Sequence, residues 1–144
     1  LQDITTLLGG RVAEEIIFGD ITTGASNDIK RATSEARAMV TKYGMSEKLG
    51  LIAYGDDEDE VFIGRDLAHT RGYSEEKAKE IDEEIQRIIR QCHDQAREII
   101  SQHIQVLHSC AELLLQKEKV HRDEFESLFT MEKNGDEKTN IQNA

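Results

Sequence analysis

No proline interrupts the 144 residues of this chain, and no other feature constrains its fold more. Proline locks φ and lacks the N–H that a helix interior needs, so a chain that carries the usual share of it breaks its helices there. Without proline, and with abundant Glu, Lys, Gln and Ile, this chain favours long uninterrupted helices.

The apolar positions agree. Ile4, Leu7, Leu8, Val12, Ile16 and Ile17 recur at the spacing of one buried helix face, and Gly19 stands where a C-cap is expected. Gly9 and Gly10 fall inside this pattern, where each costs about 1 kcal/mol against alanine. They suit a close approach by another backbone or by a metal site. A Thr- and Gly-rich connection, 20–25, leads to Ser26, which offers an N-cap. The helix after it carries Ile29, Ala32, Ala36, Met39, Val40 and Tyr43 on its inner side, and Gly44 ends it.

Leu49 to Tyr54 and Val61 to Ile63 read as the two strands of a small β-hairpin around an acidic loop, 55–60. Ser74 caps the longest helix, in which Ile81, Ile85, Ile88, Cys92, Ala96 and Ile99 form a near-heptad stripe. Such a stripe is more often intramolecular core than partner surface. A break near Ser101 to His103 precedes a second amphipathic helix with Leu107, Cys110, Ala111, Leu114 and Leu115, and the two helices are expected to form an antiparallel hairpin. A short helix holds Phe125, Leu128 and Phe129; from Thr130 onward the polar residues have nothing to bury and predict a disordered tail. The expected fold is mainly α: a helical bundle with a small β-hairpin and a long antiparallel helical hairpin over residues 1–129, then a tail, 130–144.

Composition narrows the function. With 5% aromatic residues and no tryptophan, the core must be built from Leu, Ile, Val and Ala between helices. A net charge of −11 without any Lys/Arg cluster argues against a nucleic-acid surface. No apolar run approaches the roughly 20 residues that span a bilayer, and no cleavable signal opens the sequence. The chain itself is therefore expected to be soluble and to make no direct membrane contact. Cys92 and Cys110 lack metal-type spacing and read as reduced thiols.

Motifs that carry chemistry are few. There is no GxxxxGK[ST] for ATP and no HExxH for a complete zinc site. His93, His103 and His108 lie near Cys92 and Cys110, but none forms the i, i+4 pair that sets two imidazoles on one helix face; ordinary surface histidines are the simpler reading, with an independent metal site as the alternative. His69 and His121 read as loop or cap residues. Asp28 lies in a first helical turn, where negative charge is favoured, so it suits either a capping role or a metal ligand kept ionised by backbone N–H groups. Glu14 and Glu15 follow Arg11 by three and four residues, which fits a helix-face salt bridge or a place beside a metal site.

Four segments decide between these readings: Leu8 to Gly19 (LGGRVAEEIIFG), Thr23 to Thr33 (TGASNDIKRAT), Tyr43 to Gly50 (YGMSEKLG) and Val61 to Arg65 (VFIGR). In this order and spacing they resemble the carboxyl-terminal part of the peptidase domain of FtsH-like AAA proteases, over residues 1 to 129. The resemblance implies zinc-dependent peptide hydrolysis powered by ATP-driven unfolding, on protein substrates, in a homo-hexamer. It assigns the third zinc ligand to Asp28, in the GASND segment, and places Glu14 near the zinc site without binding the metal. Two histidines and the general-base glutamate belong to an HExxH helix expected upstream of Leu1, so no catalytic residue is expected within this chain, which alone should be inactive. ATP and magnesium would be bound by an ATPase domain, also upstream. The resemblance further implies a membrane-anchored parent with this domain on the cytoplasmic or organelle-matrix side. An exposed strand edge, Leu51, Ile52, Ala53 and Tyr54 or Val61, Phe62 and Ile63, could pair with an extended substrate peptide. The rival from another class is a helical oligomerisation module that binds a partner through the Ile81 to Ile99 stripe.

Overall fold

A computed structural model of the chain describes residues 1–20, 22–54 and 73–130. The named helices are α1 (Gln2–Phe18), α2 (Ser26–Thr41), α3 (Glu75–Gln102) and α4 (Ile104–Lys117); residues 122–130 are also helical. α3 runs for 28 residues without a break, a length that the absence of proline allows. The chain divides into two compact units, Leu1–Ala96 and Arg97–Ala144.

In the first unit three helix faces meet. Ile4 and Leu8 of α1, Ala32, Ala36 and Val40 of α2, and Ile81, Ile85, Ile88 and Cys92 of α3 form one buried cluster, joined by Leu49. Ala32 and Ala36 of α2 are fully buried, and their small side chains let a neighbouring backbone approach closely. The stripe expected on α3 is thus core through Ala96, while Ile99 is exposed. Three further apolar positions expected inside are also exposed: Ile17 and Ile29 in end turns of their helices, and Tyr43 just past the end of α2.

The helix ends follow local chemistry. Gly19 closes α1 in the left-handed region at φ 63°, its N–H donating to the Glu15 carbonyl. Ala25, rather than Ser26, is the N-cap of α2, and Ser26 is its first helical residue; the Ser26 N–H donates to the Thr23 carbonyl at 3.1 Å. Ser74 caps α3 as expected, its hydroxyl oxygen accepting the Lys77 N–H at 3.2 Å.

The β-hairpin expected around 49–63 is not found among the described residues. Leu51 to Tyr54 carry no strand, and the β contact at this corner is an isolated bridge between Ser46 and Gly50. Gly44 at φ 60° and Gly50 at φ 73° turn the backbone sharply, and the Tyr54 N–H returns to the Thr41 carbonyl at 2.8 Å. Val61, Phe62 and Ile63, the acidic loop 55–60 and His69 lie outside the described residues.

A buried carboxylate holds this turn. The Ser46 hydroxyl donates to Glu84 Oε2 at 2.7 Å and accepts the Leu49 N–H at 3.1 Å. Arg87 Nε and Nη2 donate to the two oxygens of the same carboxylate at 3.0 and 3.2 Å. Glu84 is only 5% exposed, and these partners satisfy it.

In the second unit α4 starts after His103, where the expected break falls, and Glu118 ends it in the left-handed region at φ 61°. The Phe129 ring lies edge-on to His103 at 5.1 Å and to Phe125 at 5.3 Å. Val106 is buried, whereas Ala111, Leu114 and Leu115 of the expected stripe are exposed. The helical residues reach 130; the rest of the expected tail lies outside the described residues. No helix among the described residues is long and apolar enough to cross a membrane.

Candidate metal centre

Asp28 stands in the first turn of α2, after the connection 20–25. Its side chain is 46% exposed, and among the described residues its ion-pair partner is Arg31, one turn on, at 3.9 Å. At that distance the guanidinium offers attraction without a close hydrogen bond, so the carboxylate keeps lone pairs for an outside cation. The carboxylate also lies at the positive end of the α2 dipole, where a negative charge is well placed.

Glu14 faces the same connection. Its two oxygens accept the Thr22 hydroxyl at 2.9 and 3.0 Å, and the Gly24 N–H donates to Thr22 Oγ1 at 3.2 Å. A Cβ on Gly24 would sit 3.2 Å from Glu14 Oε1 and 3.3 Å from Thr22 Oγ1, so this approach favours glycine. Arg11 is the common neighbour: its Nη1 lies 3.9 Å from Glu14 Oε2, and its Nε donates to Glu15 Oε1 at 3.1 Å. The salt bridge that the spacing suggests is therefore made, and Glu14 takes a second partner from the connection.

His93 is the residue whose place the sequence did not disclose. Its Nε2 lies 3.1 Å from Glu15 Oε2, across 78 residues of chain. No local pattern marks such a contact, although its neighbour Cys92 does mark the buried side of α3. Burial pushes the Glu15 carboxyl upward, but the hydrogen bonds and charges of His93 and Arg11 outweigh this and leave it below the usual carboxylate range.

Among the described residues no three His, Cys, Asp or Glu side chains come together to hold a metal ion. The residues present fit the donation of a single carboxylate, not a whole centre. Cys92 and Cys110 are free thiols, the first buried and the second half-buried. Leu51 and Ile52 are exposed, while Tyr54 is half-buried, its hydroxyl 3.3 Å from the Leu49 carbonyl and its ring edge-on to Tyr73.

The model of peptidase family M41 matches residues 1–128. The chain belongs to this family. Among curated relatives, it is 56% identical over 128 residues to an ATP-dependent zinc metalloprotease FtsH of Caldicellulosiruptor bescii, covering 89% of this chain and 21% of the relative. It is 52% identical over 132 residues to the ATP-dependent zinc metalloprotease FtsH 1 of a Thermoanaerobacter species, covering 92% and 22%. To the FtsH of Thermotoga maritima it is 48% identical over 132 residues, with the same coverage of 92% and 22%. The chain thus spans about a fifth of the length of these relatives. The family match takes in both the GGRxAEE and the GASND segments, which lie within residues 1–128.

Proposed function

We propose that this chain is the carboxyl-terminal part of the peptidase domain of an ATP-dependent zinc endopeptidase, and that Asp28 is its contribution to the zinc site. The family match over residues 1–128 carries this reading. The relatives' names supply the zinc and ATP dependence, and the resemblance supplies the homo-hexamer and the membrane-anchored parent. Two His plus one carboxylate leave a fourth zinc position open for water, as hydrolysis requires. When bound there, zinc would polarise the scissile carbonyl and supply a hydroxide-like nucleophile near neutral pH.

The residues of this chain have supporting roles. Asp28 would donate one oxygen to the metal. Glu14 would hold the Thr22 hydroxyl and so steady the connection before Asp28. Leu51 and Ile52, exposed beside the Ser46 turn, would meet an extended substrate segment; Ala53, Tyr54 and the 61–63 stretch belong to the same substrate proposal. With no HExxH and one carboxylate, the chain on its own would not hydrolyse peptides.

The decisive test is Asp28→Ala in the protein extended to the relatives' length. Loss of bound zinc and of casein hydrolysis, with folding and ATPase activity kept, is expected. Retained zinc and hydrolysis would reject Asp28 and turn the search to Glu14 and Glu15. Chelator-sensitive casein cleavage by the isolated chain would contradict its inactivity.

A further inference from the structure

A series of polar contacts runs from α3 through α1 into the connection before α2. His93 Nε2 meets Glu15 Oε2 at 3.1 Å, and Glu15 Oε1 accepts Arg11 Nε at 3.1 Å. Arg11 Nη1 donates to the Thr22 carbonyl at 3.4 Å. Thr22 in turn binds Glu14 through its hydroxyl and receives the Gly24 N–H. Two residues beyond Gly24, the Ser26 N–H closes onto the Thr23 carbonyl, and α2 begins.

A salt bridge on one helix face would need only Arg11 and Glu15. The geometry goes further, because the guanidinium reaches from α1 to a backbone carbonyl 11 residues on while its Nε stays on Glu15. A planar fork can do both at once from separate nitrogens, whereas the three donors of a lysine ammonium all leave from one nitrogen at the end of a flexible stem. The Arg11 side chain is 11% exposed, so its stem is held in place, while the Thr22 carbonyl that it reaches is open to solvent.

We propose that Arg11, anchored by Glu15 and through it by His93, is the positioning residue for the connection that delivers Asp28. The proposal rests on the reading of Asp28 as a zinc ligand. Arg11 touches neither Asp28 nor the metal in this scheme; it fixes the Thr22 backbone, and with it the entry of α2. Partners that orient a metal ligand from behind change metal affinity by about 10–100-fold when removed.

The test uses the protein at the relatives' length, with zinc affinity read by competition against a chromophoric chelator. The melting temperature of the zinc-free form is measured beside it. Arg11→Lys should weaken zinc binding by several-fold, less than the roughly 10–100-fold of a partner bonded to the ligand itself, and Glu15→Gln should weaken it in the same direction. Asp28→Ala is the control for the underlying reading and should abolish tight binding. If Asp28→Ala loses zinc while Arg11→Lys and Glu15→Gln bind it within about twofold of wild type, positioning is overturned and the ligand reading stands. A lowered melting temperature with unchanged zinc affinity overturns positioning too, since it marks Arg11 as structural only. If Asp28→Ala keeps its zinc, both ideas are overturned. Should Arg11→Lys fail to fold, Glu15→Gln decides by the same twofold criterion.

Discussion

Both units of this chain carry apolar residues at helical spacing, but they treat them differently. In the first unit Ile4 and Ile81 are 1% exposed and Ile88 is 2% exposed; in the second, Leu114 is 43% exposed and Leu115 is 86% exposed. The first unit brings three helix faces together and puts small alanines where they converge, so each stripe has an opposing surface. On α4 of the second unit, Val106 is buried but the stripe fades along the helix. Periodicity therefore tells which face of a helix is apolar, and burial depends on a second surface that periodicity does not report.

The largest effect that can break this comparison lies in the core. Ile88→Ala should destabilise the first unit by about 2–5 kcal/mol, the range for truncating a buried aliphatic side chain. Leu115→Ala, on the exposed stretch of α4, should stay within about 0.5 kcal/mol. Urea denaturation followed by circular dichroism measures both, with hydrogen exchange assigning each loss to its unit. Equal costs at the two sites would mean that the exposed stripe of α4 is covered in solution.

Glu84 sharpens the picture of what holds the first unit. Glu84→Gln keeps the shape but loses the charge that Arg87 meets, and should cost about 1–3 kcal/mol at neutral pH. The Arg87 hydrogen bonds, followed by burial in the opposing direction and the Ser46 hydroxyl, leave the Glu84 carboxyl below its ordinary value of 4.5. A carboxyl lowered on folding binds fewer protons than in the unfolded chain, so it stabilises above the unfolded value. That contribution is lost as pH falls through the folded value. The gap between wild type and Glu84→Gln should therefore shrink below pH 4.5. A gap that stays constant into acid would show that the charge contributes nothing and that the loss comes from the amide's altered hydrogen bonding to Arg87 and Ser46.

Much of the first unit was legible in the sequence. The stripe from Ile81 to Ala96 and the caps at Gly19 and Ser74, like the break at His103 in the second unit, follow from rules that act within a few residues. The errors fall where a decision is not local. Ile17, Ile29, Tyr43 and Ile99 have the right spacing but sit where a helix leaves its neighbours. Leu51 to Tyr54 have strand-like residues, yet two left-handed glycines and the Ser46–Glu84 contact turn that segment instead. At the candidate site, the resemblance is what proposes Asp28 and Glu14, whereas the Arg11 to Glu15 contact follows from helix spacing. His93 was not legible, because its partner lies 78 residues away.

The turn at Gly44 gives a smaller effect. Its φ of 60° disfavours any side chain, and a Cβ there would sit 3.2 Å from the Leu51 Cα. Gly44→Ala should cost about 1–2 kcal/mol, the penalty for the left-handed region, with some added crowding. Thermal denaturation would show it, and an unchanged midpoint would mean that the Leu51 segment yields freely.

The smallest expected change has the opposite sign. Gly9 and Gly10 lie inside α1, and a Cβ at either meets nothing within 4 Å, so the close approach expected there is not made by the described residues. Gly10→Ala should then stabilise this chain by up to about 1 kcal/mol, since alanine forms helix better at no steric cost. The same substitution in the protein at the relatives' length asks a different question. If the gain persists there, the glycine pair is simply tolerated. If it turns into a loss, with weaker zinc binding, a segment beyond this chain packs against Gly10 and couples that face of α1 to the proposed zinc site.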